Sequence, residues 1–299
     1  MLSRIRENIA PLRPLSRPLS NWEMTLSSLR TLLRVRLYTA ISPTVDIADY
    51  TEMPTCSIPR KYRSSLALPP QSVLQQIPLQ RQSRAPQICY QSAIALKYAT
   101  AAQLHPIALA AALLETHQSL SPPPFRISID ANATGWLSLT LSWTEGSQFL
   151  DQVLERTSAA RNAALLSQSA SPAAMPFSVW QTLQRCRTLR SMMQRDPNAK
   201  LDADFDRGFS HPLPETQDLM TTLLDELDAA DERSSDSMAD PSVIAATSAR
   251  ITHAFDRLHR QIPLFHPKTL PSEQIQFFYC ANWTEFTLKA LYHQPHAAT

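Results

Sequence analysis

Glycine is almost missing from this chain: 299 residues hold three, Gly135, Gly146 and Gly208, beside 24 prolines. Dinucleotide-binding loops, P-loops and nucleophile elbows use glycine where backbone must turn tightly or come close to a ligand. No G-x-G-x-x-G, G-K-[ST] or G-x-S-x-G occurs, which excludes a nucleotide site of those kinds. Cysteine is scarce as well. Cys56, Cys89, Cys186 and Cys280 lie far apart without any C-x-x-C, so neither a zinc ribbon nor a disulfide framework is expected, and free thiols in a reducing cytoplasm are. No run approaches eighteen consecutive apolar residues, so no membrane span is expected. The basic N-terminal stretch lacks an apolar run of signal-peptide length, and the sequons at Asn132 and Asn282 read as chance. Charged residues make up only 18% of the chain, below the usual quarter of a soluble domain.

What charge there is falls unevenly. Residues 1–85 carry twelve Lys and Arg against five Asp and Glu, a local +7, whereas residues 201–240 carry twelve acids against two arginines, a local −10. That asymmetry suits a basic surface at one end and a solvated acidic loop at the other. Asp202, Asp204 and Asp206 imitate the start of a calcium loop, but Gly208 comes too late and Glu215 lies outside a twelve-residue loop. His253, His259 and His266 stand six and seven residues apart, which is not chelating spacing, so no metal and no cofactor is expected.

Along the chain, residues 22–41 predict an amphipathic helix carrying Leu26, Leu29, Leu33 and Leu37 at helical spacing. Residues 42–85 are punctuated by proline and read as a long extended connection. Residues 91–103 predict one helix and 106–117 a second, with Pro106 suited to its first turn. "FRISID" (125–130) and "WLSLTLSW" (136–143) alternate apolar and polar, predicting a hairpin turned at Gly135, and a helix follows from about Ser147. The Ala/Ser-rich 157–176 reads as a linker. Beyond it, helices are expected over 177–195, 215–230, 242–261 and 272–292, with loops near 202–206 and 228–240. Their core stripes include Met220, Leu223, Leu224 and Leu227, then Ile244, Ile251, Phe255, Leu258 and Ile262, then Ile275, Tyr279, Phe286 and Ala290. The fold class that follows is a small α+β domain and then an all-α bundle, mostly α overall.

The order of motifs resembles arginyl-tRNA synthetases. "IPLQRQSRAPQICYQSAIALKYATAAQLHPIALAAALLE" is similar to their N-terminal additional domain, with its Y-Q-S-x-x-A-L-x-L-A helix, and Thr134–Leu139 matches the following G-P-G-F-I-N segment. "WQTLQRCRTLR" (180–190) and "AFDRLHRQIPLF" (254–265) resemble motifs of the DALR anticodon-binding domain. The resemblance implies four parts: a basic arm with a Pro-rich segment (1–76), an additional-domain-like unit (77–156), the linker (157–176) and a DALR-like bundle (177–294). The family's catalytic domain, with its H-x-G-H signature, has no counterpart in the linker between, so the resemblance implies a non-catalytic chain, not an enzyme. At the family's Tyr position stands Trp180, at its His Thr182 and at its Arg Gln184.

On the 177–195 helix Arg190 falls within the apolar arc of Val179, Leu183, Cys186 and Met193, and Arg187 lies at its edge. A charge there needs a partner, either an Asp of the acidic loop or a ligand phosphate. Candidate RNA-binding residues are therefore Trp180 for stacking, Gln184, Arg187 and Arg190 beside it, and Arg30, Arg34 and Arg36 of the basic arm. Two functions follow: binding of tRNA or another structured RNA, or an adaptor whose Pro-rich 42–85 segment docks on a protein. No catalytic residues are assigned.

Overall fold

The computed structural model describes residues 28–45, 69–82, 87–120, 125–164, 175–195, 209–233, 241–264, 266 and 269–292. Contacts divide the chain into two units, one reaching Leu141 and the other starting at Ser142, with Ser27–Leu29 grouped with the second. Among the described residues the protein is mostly helical, with one small antiparallel sheet. No described helix is long and apolar enough to cross a membrane.

The first unit contains α1 (Leu29–Ile41, from Arg30 on), α2 (Gln71–Leu74), β1 (Gln80–Gln82), β2 (Ile88–Ser92), α3 (Ile94–Tyr98), α4 (Pro106–Ser119), β3 (Ser128–Ala131) and β4 (Leu137–Leu141). The sheet order is β1-β2-β4-β3, each neighbour antiparallel. The expected hairpin is its β3–β4 half, with Ile129 opposite Leu139. Gly135 turns it at φ +90°, where an added Cβ would sit 3.1 Å from the Pro106 carbonyl carbon. Asn132, the first supposed sequon, locks the turn: its Oδ1 accepts from the backbone N–H of Thr134 and of Trp136, both at 3.0 Å.

The other half of the sheet corrects the expectation of one helix over 91–103. Ile88, Tyr90 and Ser92 point into the core and Cys89 and Gln91 do not, the period of two that defines a strand. Ser92 ends it. Its hydroxyl donates to Pro78 O at 2.6 Å and accepts from Ile94 N–H at 3.3 Å, and only then does the short α3 begin. The extended reading of 42–85 also changes where the chain is described. Val73, Leu74, Ile77 and Leu79 are buried around α2 and the approach to β1, so this stretch is packed and not simply extended. Residues 46–68 and 83–86 lie outside the described set.

The second unit contains α5 (Trp143–Ala164), α6 (Phe177–Arg195), α7 (Pro214–Arg233), α8 (Pro241–Gln261) and α9 (Pro271–Tyr292). Helix α5 starts earlier than Ser147 because Ser142 and Glu145 form a capping box: Ser142 N–H donates to Glu145 Oε2 at 2.9 Å, and Glu145 N–H to Ser142 Oγ at 3.2 Å. Trp143, read as the end of a strand, is therefore the first helical residue. Contacts group α5 with the helices that follow it, so the two units part between Leu141 and Ser142. It also carries helix to Ala164, into the expected linker.

Proline explains how so much helix forms with so little glycine. Pro106, Pro214, Pro241 and Pro271 each open a helix, where the missing N–H would have no partner anyway and the fixed φ is already helical. Helix α7 runs through the expected 228–240 loop as far as Arg233. Helix α9 touches α5, α6, α7 and α8. Surrounded on that many sides, it buries Phe277, Cys280, Ala281, Trp283 and Leu288, while Tyr279 and Phe286 of the expected stripe are only half-buried. Met220, Leu223, Leu224, Ile251, Phe255, Leu258 and Ile262 are buried as expected, with Leu227 and Ile244 half-buried.

Candidate functional site

Helix α6 separates its residues by face. Val179, Thr182, Leu183, Cys186 and Met193 are buried, whereas Phe177 and Trp180 are exposed on another side and Arg187 is exposed at the edge of the buried arc. Phe177 is 68% exposed and Trp180 49%, and their rings stack with centroids 6.0 Å apart and planes 18° from parallel. Two large aromatic surfaces held side by side in water at the start of a helix contribute little to folding. Phe177 did not emerge from sequence; its signal was an aromatic at i and i+3 on the side of α6 away from the apolar arc. Gln184, one turn after Trp180, is half-buried.

Arg187 and Arg190 find a partner on α9; residues 201–208 of the acidic loop lie outside the described set. Arg187 Nε donates to Glu285 Oε1 at 3.0 Å. Arg190 Nη1 donates to Glu285 Oε2 at 2.9 Å and to Asn282 Oδ1 at 2.7 Å. Lys289, one turn after Glu285, reaches Oε1 at 2.5 Å. One carboxylate thus gathers three cations. Asn282, the second supposed sequon, is part of this cluster. Neighbouring Arg185 is instead paired with Asp256 of α8.

Burial pushes the Glu285 pKa up, but hydrogen bonds from Lys289 and Arg187 and the charges of Lys289 and Arg190 outweigh it, leaving the carboxyl below its ordinary 4.5. A depressed folded pKa gives stability that is present above the unfolded value and lost as pH falls through the folded one. Urea midpoints of the protein should therefore fall more steeply than those of Glu285→Gln as pH drops below about 4.5, the two series converging at the acid end. Parallel series would show that this carboxylate is not stabilised by its cations.

The three arm arginines are placed differently from the expectation. Arg34 is 7% exposed, its Nε donating to Ile77 O at 3.3 Å, and Arg36 is 2% exposed. Arg30 is half-buried. The reason is that the buried residues of α1, Leu29, Leu32, Leu33, Val35, Leu37, Ala40 and Ile41, spread well beyond a single stripe, so it is a core helix and not an amphipathic one. Buried guanidiniums do not track phosphates. Residues 1–27, with the remaining arm arginines, lie outside the described set.

Among the described residues no group of three or more His, Cys, Asp or Glu is placed to hold a metal ion. Cys89, Cys186 and Cys280 are free, and burial raises the pKa of each thiol. Compared with protein-family models, curated proteins and solved structures, the chain finds no match.

Proposed function

We propose that this chain is a non-catalytic RNA-binding module of the cytoplasm, an arginyl-tRNA synthetase-like pair of domains without the catalytic domain, acting on tRNA or another structured RNA. The observation that carries the reading is the α6–α9 surface. An exposed, stacked aromatic pair lies on the helix that also carries Arg187 and Arg190, two arginines that share a single carboxylate, Glu285. Unpaired bases offer π faces to Phe177 and Trp180, and the phosphates between them offer charge to the cations. The motif order supplies the RNA class, and an α+β unit followed by helices is the arrangement a DALR-like reading requires. The phosphate-contacting set in this proposal is Arg187 and Arg190 with Lys289; Arg34 and Arg36 leave it because they are buried.

Titrating a fluorescent tRNA across a salt series tests the proposal. Trp180→Ala should weaken binding by about 1–3 kcal/mol through lost stacking, with little change in the salt slope. The second reading, a protein-binding adaptor, rests on Phe177, Trp180 and Met192 all being exposed on one helix. No binding near physiological salt, or binding indifferent to Trp180→Ala, would favour it over RNA.

A further inference from the structure

Two cations of α6, Arg187 and Arg190, share one carboxylate on α9. Glu285 is 4% exposed and lies beneath side chains that are themselves 46% (Arg187), 32% (Arg190) and 33% (Lys289) exposed. Arg187 uses only Nε on the carboxylate, and Arg190 uses only Nη1, shared with Asn282. A guanidinium has five N–H donors in a rigid fork, so both arginines keep terminal donors that these bonds do not engage. An ordinary structural ion pair looks like Arg185 with Asp256, one charge for one.

We propose that Arg187, Arg190 and Lys289 form a single phosphate-binding subsite, assembled from beneath by Glu285 and braced by Asn282. It rests on the RNA reading and deepens it by giving Glu285 the role of positioning the cations, and its ligand is a phosphodiester or a terminal phosphate. Two forked guanidiniums and an ammonium over one buried carboxylate match an anion whose oxygens accept several charge-assisted hydrogen bonds at once. Glu285 has two effects. It fixes the cations in place, and its own negative charge competes with the ligand's.

The test uses the full chain and two probes, fluorescent tRNA and inorganic pyrophosphate. Lys289→Gln should flatten the salt slope for tRNA by about 0.7, the contribution of one phosphate on a single strand, and Lys289→Arg should restore it. Glu285→Gln should melt at a lower temperature when free yet bind tRNA roughly fivefold more tightly at low salt, because a charge opposing the ligand has gone. A purely structural cluster would lower the melting temperature without tightening binding. Should Glu285→Gln fail to fold, the Lys289 pair decides, since that side chain is a third exposed and dispensable to the core. Affinities for tRNA unchanged within twofold across the variants would overturn the subsite while leaving RNA binding standing. Pyrophosphate binding with the same variant pattern, but no tRNA binding, would keep the subsite and remove RNA as its source of phosphate. Binding of neither probe would overturn both.

Discussion

Tyr90→Ala should lower the unfolding free energy by about 3–5 kcal/mol, the loss typical of a large buried aromatic. Gln91→Ala, next to it, should change it by less than about 1 kcal/mol. Tyr90 is 0% exposed and sits opposite Leu139 on the core face of the sheet. Gln91 lies opposite Ser138 on the other face, half-buried, and meets Gln82 through a side-chain hydrogen bond at 3.1 Å. The contrast should continue outward, Ile88→Ala costing much and Cys89→Ala little, because successive strand residues point to opposite faces. A helix beginning at 91 would spread the losses differently, grouping residues three and four apart. Urea denaturation of the four variants separates the two patterns. Comparable losses at Tyr90 and Gln91 would contradict the strand.

That stretch also shows why part of the fold was legible and part was not. Helices α4, α6, α8 and α9 are long, repeat their apolar residues at helical spacing, and in three cases start on a proline, so their limits can be read to within a residue or two. Strands β3 and β4 announce themselves by alternation on either side of Gly135. Strand β2 does not. It is five residues long and runs straight into "AIALKYA", whose composition is helical, and what makes it a strand is its pairing with β4 about fifty residues away. Strand β1 is three polar residues, below any periodic signal. The site divides in the same way. Arg187 and Arg190 interrupt an apolar arc, so their need for a partner is visible locally, but Glu285 lies 98 and 95 residues further along and only packing brings it there. In α1 the leucine spacing alone reads as one amphipathic stripe, but Leu32, Val35 and Ile41 widen it far beyond a stripe, and that breadth marks a buried helix whatever charges it carries.

Trp283→Ala should be the most damaging substitution in the helical unit, again by about 3–5 kcal/mol, with no direct loss of an RNA contact. The side chain is 0% exposed on the helix that touches all four others. Its ring lies 5.2 Å from Phe209 and 6.0 Å from Tyr279, centroid to centroid, and its Nε1–H faces Asp151 Oδ1 on α5 at 3.5 Å. Alanine would therefore leave a cavity, strip two aromatic contacts and leave the Asp151 carboxylate without that donor. Trp283→Phe should recover part of the loss by keeping a ring in the space, though without the N–H. Trp180→Ala is the counterpart in the same unit. At 49% exposure, with Phe177 as its ring neighbour, Trp180 should be nearly neutral for stability, within about 0.5 kcal/mol, and costly only for binding. Measuring urea stability and tRNA affinity for both, at a temperature where each variant is fully folded, places the two tryptophans on opposite sides of that division. If folded Trp283→Ala binds tRNA as poorly as Trp180→Ala, the exposed face of α6 is not where bases stack.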